Sequence, residues 1–437
     1  MSDSTSTGGV ASVSTALPAS TRSGKRWWQQ LGPGLITGAA DDDPSGIATY
    51  SQAGAAWRFD TLWALLVAFP LMYAVQTICA RIGRTTGHGL AGNLHRHYSH
   101  WLFYVMMLPM CVANIINIGA DLSAMGDALA LLSGIKSPRL FMILFGVGCT
   151  IATVWVPYRR YESVLKWLTL VLFAYVAVLF FSHVPWVEVT KALVWPTLHW
   201  NGKYLTTIVA MLGTTISPYL FFWQASLEVE DLRRFPDRRP LLQAPDQAPA
   251  AWSRIHNDTL AGMIFSGLIA ACIVVSTAAT LNAHGITEIN TTAQAAQALR
   301  PVAGAAAFAL FAVGIIGTGL LGVPVLAASA AYAVAGTLHW RGSLDENAGY
   351  APRFYMVLAA AVLIGLALDL IHMDPMKALF YSAVVNGVVA VPIMVMLMQL
   401  AANRKIMGDF VVKGPVRVMG WLATLLMLLA VVAMLVW

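Results

Sequence analysis

Charge is what this sequence has least of. Only 11% of its 437 residues are Asp, Glu, Lys or Arg, whereas a soluble domain carries about a quarter. That is too little to cover a water-facing surface of this size. It excludes a soluble enzyme, a nucleic-acid binder and a disordered scaffold. Cysteine is also scarce. Cys79, Cys111, Cys149 and Cys272 stand far apart in apolar stretches with no CxxC spacing, which excludes a disulfide framework and a zinc site and makes them core residues. No GxxxxGK[ST] phosphate loop occurs, so ATP is not the direct drive of any process here. The first 26 residues are rich in Ser, Thr, Gly and Ala and have no apolar run. They are not a cleaved signal peptide, and residues 1–30 read as a disordered cytoplasmic tail.

Apolar residues are abundant, at 58% of the chain, with a mean hydropathy of +0.67. Eleven apolar segments are long enough to cross a bilayer: 31–56, 61–80, 101–126, 140–157, 164–184, 204–226, 259–281, 303–336, 354–371, 377–400 and 416–436. Several carry strand-like Val, Ile and Thr, but an open sheet edge in lipid leaves backbone groups unpaired, so they are helices. The expected fold class is an all-α membrane protein of about 11 transmembrane helices, with one transporter domain over 31–437. The eighth segment is long enough to tilt or to include a re-entrant piece.

Lys and Arg set the orientation. With the N-terminus in the cytoplasm, 20 of them fall inside and 7 outside. The inner set includes Arg81, Arg84, Arg96, Arg159, Arg160, Lys166, Arg233, Arg234, Arg238, Arg239, Arg254 and Arg341. The expected localisation is the cytoplasmic membrane, multi-pass, with the C-terminus outside. The Pro/Arg-rich stretch 232–253 reads as a cytoplasmic linker.

Two spans are interrupted. The first contains "GPGLITGAADDDPSGIATYSQAG", with Asp41, Asp42 and Asp43 near its middle, followed by Pro44, Ser45 and Gly46. One Asp at the centre of a lipid-facing helix costs about 2.5–3.5 kcal/mol, so three must face a hydrated or protein-lined cavity. Pro44 removes a backbone donor, and two half-helices with an unwound joint around Ala40–Gly46 are expected. The sixth span, "IVAMLGTTISPYLFFWQASLEVED", breaks at Pro218. Asp43-Pro44 and Ser217-Pro218 each put a capping side chain before a proline, the pattern that starts a helix. The prolines are 174 residues apart. Spans one to five (31–184) and six to ten (204–400) thus read as two inverted five-helix repeats, with an extra helix at 416–436. Paired interruptions of this kind point to a midplane transport site.

The first half-helix ends near Ala40 in unpaired carbonyls and the negative end of its dipole, and carboxylates follow. Such oxygens suit a hard divalent cation. Asp43 is the first candidate ligand, with Ser217 and a carbonyl near Thr214 closing the site from span six. Asp41 and Asp42 point elsewhere on the turn and attract or relay ions. Asp43 and Ser217 could each instead be a helix cap alone. Asp121, in span three, is either a relay or a structural partner of an Arg or a backbone donor. Asn114 and Asn117 read as residues that knit helices together. His88, His95, His97 and His100 form a loop cluster, more often solvated than metal-binding. The Met runs (Met106, Met107, Met110; Met394, Met396, Met398) read as packing. Gly314, Gly317, Gly319 and Gly322 read as a close helix contact.

Several stretches resemble the Nramp (natural resistance-associated macrophage protein) divalent-metal transporters. They are "GPGLITGAADDDPSGIAT", where the family has a D-P-G-N joint, "RIGRTTGHGLA", "ADLSAMGDAL", "RRYESVLKWL", "ISPYLF", where it has an M-P-H joint, and "TAQAAQALRPVAGAAAFALFAVGIIG". The resemblance implies the inverted-repeat, amino-acid-transporter-like fold with broken helices 1 and 6, and inward movement of manganese, iron and similar ions, usually with protons. It also implies that Asp43 matches the metal-binding Asp and that the Ala40 carbonyl matches a metal-binding carbonyl. Gly46 stands at an Asn ligand, Ser217 at the Met whose thioether favours transition metals, and Tyr219 at the neighbouring His. Asn114 stands at an acid linked to proton movement, while Asp121 is kept. Oxygen in place of sulfur favours Mg²⁺ or Mn²⁺, as in the divergent branch that includes Nramp-related magnesium transporters.

The expected function is therefore alternating-access transport of divalent cations, not catalysis. The ion sits on Asp43, the Ala40 carbonyl, Ser217, Thr214, Asp42 and Gly46, with Asp41, Asp121, Asn114 and Tyr219 as accessory or relay residues. No cofactor is expected, since the metal is cargo. The expected partners are that ion and the lipid bilayer, with no nucleic acid and no obligatory protein partner. The alternative is a Na⁺- or H⁺-coupled symporter of a small organic solute on the same fold.

Overall fold

The computed structural model describes residues 33–156, 169–338, 340, 342–344, 348–368 and 374–437. The expected tail at 1–30, the "RRYESVLKWL" stretch up to residue 168 and Arg341 lie outside them. Among the described residues every regular element is a helix. In chain order the main helices are α1 (Pro33–Asp41), α2 (Pro44–Trp57), α3 (Leu62–Thr86), α4 (Leu90–His97), α5 (His100–Ser133), α6 (Pro138–Trp155) and α7 (Phe173–Phe181). They continue with α8 (Trp186–Val194), α9 (Gly202–Thr215), α10 (Pro218–Arg234), α11 (Ala248–Thr280), α12 (Ala307–Thr337), α13 (Pro352–Leu368), α14 (Pro375–Ala402) and α15 (Pro415–Val436).

Eight of these units are long and apolar enough to cross a membrane: α3, α5, α6, α9 with α10, α11, α12, α14 and α15. A ninth is α7 with α8, although that pair is bent by 114°. The broken pair α1/α2 and the 17-residue α13 complete the match to the eleven expected segments. The bend before α8 was not foreseen. Arg58 at the end of α2 pairs with Glu188 of α8 at 2.9 Å, which ties α8 back to the first span.

Both interruptions lie where proline puts them. Asp43 is the N-cap of α2, with extended backbone and a side chain that accepts from Gly46 N, and Pro44 is the first helical residue. Ser217 holds the same place before α10, with Pro218 next. The eighth segment is one continuous helix from Ala307 on, preceded by a 3-10 turn at Gly304–Ala306. At about 1.5 Å per residue its 31 residues exceed the ~30 Å hydrocarbon thickness. The stretch 232–253 is not a loose linker. Leu241 is fully buried, Leu241 N and Leu242 N donate to the Arg84 and Thr85 carbonyls, and α11 already begins at Ala248.

Small residues let the spans around the joints approach closely. A side-chain carbon on Gly38 of α1 would lie 2.3 Å from the Gly262 carbonyl of α11, and one on Gly213 of α9 would lie 2.2 Å from the Ala383 carbonyl of α14. On Gly319 of α12 it would meet Met125 Sδ at 2.4 Å. Cys79, Cys149 and Cys272 are buried and Cys111 half-buried, all as free thiols. Met107, Met110, Met394, Met396 and Met398 pack in the core.

Candidate metal site at the helix joints

Asp43 is the hub of the first joint. Its side chain is buried in the middle of the protein. Ser45 Oγ donates to Oδ1 at 2.6 Å and Gly46 N at 2.9 Å. Asn117 Nδ2 of α5 and the Tyr219 hydroxyl of α10 donate to Oδ2 at 3.3 and 3.2 Å. The Oδ1 pair is local and belongs to the helix cap. The Oδ2 pair comes from other spans, and its long distances mark weaker bonds. The same Tyr219 hydroxyl lies 3.2 Å from the Ala40 carbonyl, so one side chain of the second joint touches the two foremost oxygens of the first.

Asp41 and Asp42 turn a different way. Both meet Ser266 of α11, whose Oγ donates to Asp41 Oδ2 at 2.5 Å and lies 3.4 Å from Asp42 Oδ1. Asp41 Oδ1 and Asp42 Oδ2 are buried without a hydrogen-bond partner. The three consecutive acids therefore form two groups, Asp43 facing α5 and α10, and Asp41 with Asp42 facing α11. Asp121 is fully buried, and neither carboxylate oxygen has a hydrogen-bond partner among the described residues. A carbon on Gly322 of α12 would touch Asp43 Cβ at 3.1 Å and Asp121 Oδ2 at 3.6 Å, so this bare glycine forms a wall shared by the two acids.

From span six, Ser217 makes no cap bond to α10. Its hydroxyl donates back to the Gly213 and Thr214 carbonyls, at 2.7 Å each. The Thr214 carbonyl thus already accepts one bond. Thr214 Oγ1 faces Gly46, where an added side-chain carbon would sit 3.4 Å from it. Tyr50 and Thr215 share a hydroxyl contact of 2.9 Å that joins α2 to α9. Asn114 Nδ2 donates to the Leu326 carbonyl of α12, which knits α5 to α12.

Three residues that the sequence reading did not place at the site complete the surroundings. Asn117, read only as helix glue, touches Asp43 directly. Ser382 of α14 fixes its amide by donating to Asn117 Oδ1 at 2.6 Å. Ser266 holds the other two acids. The signal available was their polarity inside apolar spans. Of the His cluster, His97 bonds the Asn93 carbonyl at 2.9 Å and His88 accepts from Arg96 beside α4. Among the described residues no group of three His, Cys, Asp or Glu side chains is placed to hold a metal ion.

A cavity of about 570 Å³ starts at Ala48, half a turn past Gly46, and is lined by Gln52, Trp57, Thr207, Asn290 and Tyr381, with Lys203 and Glu288 among its wall residues. On the opposite side α1 is sealed by Gly34 N donating to Asp258 Oδ2 at 2.7 Å, and by a hydroxyl bond from Thr37 to Gln224 Oε1. Below it a buried Glu228–Arg254 pair ties α10 to α11.

Several known proteins are similar. A divalent metal cation transporter MntH of Klebsiella pneumoniae (strain 342) is 26% identical over 403 residues, covering 90% of each chain. A protein of the same name from Acidiphilium cryptum is 26% identical and covers 95% of this chain and 92% of its own. The fold matches that of an Eremococcus coleocola manganese transporter with a TM-score of 0.74 at 18% identity, covering 94% of this chain and 88% of that one. It also matches the nucleobase-cation-symport-1 family transporter Mhp1 with a TM-score of 0.55 at 13% identity, over 92% of each chain. Residues 34–437 match the family described as natural resistance-associated macrophage protein-like, and with that match over nearly its whole length the chain belongs to the Nramp family.

Proposed function

We propose that this protein moves divalent metal cations across the cytoplasmic membrane by alternating access, binding the ion where the α1/α2 and α9/α10 joints meet. The supporting observation is that the Tyr219 hydroxyl spans from one joint to both Asp43 Oδ2 and the Ala40 carbonyl of the other. Both oxygens lie 3.2 Å from that one hydroxyl. An arriving cation displaces the weak Tyr219 and Asn117 bonds from Oδ2, while Ser45 and Gly46 N keep the carboxylate aimed. Ser217 offers the lone pairs of a hydroxyl whose proton is already given to the end of α9. The Thr214 carbonyl keeps one free lone pair. Gly46 leaves room that a side chain would fill, so the ion can keep part of its water shell.

Every such donor is oxygen. Hard ions that hold water tightly, Mg²⁺ and Mn²⁺, are favoured over softer ones, because Ser217 and Tyr219 offer hydroxyl oxygens and no sulfur or imidazole. Asp41 and Asp42 add negative potential beside the site and act as accessory acids. Asp121 lines the same wall as a relay, with Asn114 one to two turns away on α5 as a fixed neutral post. The wide cavity supports entry from the face opposite the basic loops, with the N-terminus cytoplasmic and the C-terminus outside. The alternative of a coupled symporter for a small organic solute is not favoured. Three acids at the joint repel an anionic substrate, and the likeness to Mhp1 shows fold alone.

The test is ion flux into liposomes holding the purified protein. Mn²⁺ and Mg²⁺ uptake, with weaker Cd²⁺ uptake, is the expected result. Amino-acid or nucleobase uptake without metal flux contradicts it. A pH indicator in the same vesicles reads whether protons move with the ion.

A further inference from the structure

A second cavity, of about 300 Å³, is lined by Arg96 and Arg233 on the face where Lys and Arg gather. Its walls come from the turn after α3, from α4, from the ends of α10 and α12, and from Trp340 and Gly342. Metal transport makes no evident use of it, and its chemistry is of the opposite sign.

Four observations define it. First, Arg96 of α4 and Arg233 of α10 both line it and are exposed. Arg96 donates to His88 Nε2, and Arg233 NH1 donates to the Gly342 carbonyl at 3.2 Å. Each contact uses one of the five N–H groups of a guanidinium and fixes its position, and the others have no hydrogen-bond partner among the described residues. Second, burial and then the neighbouring Arg96 guanidinium hold His88 below the usual histidine range, so it stays a neutral acceptor that steadies Arg96. Third, α4 begins at Gly89 with no side-chain cap, and Ala91 and Gly92 of its first turn line the cavity. The unpaired first-turn N–H groups and the helix dipole both favour an anion. Fourth, Ser226 of α10 also lines the cavity, and a carbon on Gly89 would lie 3.0 Å from its Oγ. Ser226 is only 6% exposed, and its hydroxyl has no hydrogen-bond partner among the described residues.

Among the described residues the one acid in the wall is Glu230, and it is already engaged. Its carboxylate accepts from the Tyr332 hydroxyl and from Leu344 N at 2.9 Å. The remaining donors come from two guanidiniums, a helix start and a buried hydroxyl. Phe222, Val229 and Trp340 add an apolar wall.

We infer that this cavity binds a phosphate-bearing ligand, held by Arg96, Arg233, Ser226 and the start of α4. The ligand couples α10, which carries the second joint, to α4 and α12. Occupancy therefore biases the movement of α10 and regulates transport. The phosphate has two sources, a soluble phosphate compound or the headgroup of an anionic lipid.

Both sources are tested on the full-length protein. In the first arm it is held in phosphatidylcholine nanodiscs and titrated with inorganic phosphate by calorimetry at constant ionic strength. In the second it is purified from phosphatidylglycerol nanodiscs, and retained lipid is counted by native mass spectrometry. Saturable binding in one arm is expected. Arg96→Gln with Arg233→Gln should weaken it by about tenfold or more, because charge-assisted bonds are lost. Ser226→Ala should weaken it by a smaller factor. Both arginines are exposed, so the double variant should keep its thermal unfolding midpoint, and that midpoint is measured alongside. The inference is overturned if neither arm shows saturable binding, or if the double variant, folded as shown by its midpoint, binds as wild type does.

Discussion

Replacing Tyr219 by Phe removes one oxygen and nothing else from a fully buried ring. That oxygen lies 3.2 Å from the Ala40 carbonyl and 3.2 Å from Asp43 Oδ2. A single O–H cannot point squarely at both, and both distances are at the long end of the normal range. The net stabilisation is therefore about 1 kcal/mol, in the middle of the range for protein hydrogen bonds. If those two oxygens receive the ion, the hydroxyl competes with it. The Phe variant should then bind Mn²⁺ about fivefold more tightly, the equivalent of ~1 kcal/mol. Without metal the variant should be less stable by a similar amount, since two buried acceptors each lose a donor. Saturating Mn²⁺ should restore stability, because a ligand that binds only the folded state stabilises it. Calorimetry for affinity and thermal unfolding with and without Mn²⁺ read the two effects. Unchanged affinity would place the ion elsewhere. Affinity lowered by tenfold would make the hydroxyl itself a ligand, and the competition argument would be wrong.

Other substitutions probe the same site. Ser382→Ala frees the Asn117 amide to turn, since Ser382 Oγ is bonded to Asn117 Oδ1; the expected result is a several-fold rise in the KM for Mn²⁺ uptake with the maximal rate nearly kept, measured by vesicle flux. Ser217→Met puts a thioether where the family carries one, and the ratio of Cd²⁺ to Mg²⁺ uptake should rise in competition assays. Gly322→Ala pushes a methyl to 3.1 Å from Asp43 Cβ. It should cost about 1–3 kcal/mol of stability by overpacking and slow transport, seen as a lower unfolding midpoint and a lower flux.

Much of this arrangement was legible in the sequence because its causes are local. Proline after a capping residue ends one half-helix and starts the next, and both joints stand where Pro44 and Pro218 put them. Three acids in an apolar span had to be shielded from lipid, and all three are buried in protein. What could not be read is which span faces which. Asn117 meets Asp43 from 74 residues away, Ser266 meets Asp41 from 225 away, and Ser382 meets Asn117 from 265 away. No periodicity encodes such pairings, which follow from how the spans pack against one another.

Side-chain direction was equally hidden. Ser217 occupies the capping position before α10, but its hydroxyl turns back to the carbonyls of α9. Nothing in the dipeptide Ser-Pro chooses between those partners. The docking of 232–253 also depended on a distant surface, the backbone carbonyls at the end of α3. Loop composition gave the polarity of that stretch without its contacts.

The account rests on the Asp43 carboxylate as the charge that holds the ion. Asp43→Asn isolates that charge, because Asn caps a helix about as well as Asp and should leave the joint folded. The decisive measurement is Mn²⁺ uptake by liposomes carrying this variant, with its unfolding midpoint checked beside wild type. The account predicts a near-wild-type midpoint and uptake reduced to the level of protein-free vesicles. Uptake equal to wild type in the folded variant would contradict it.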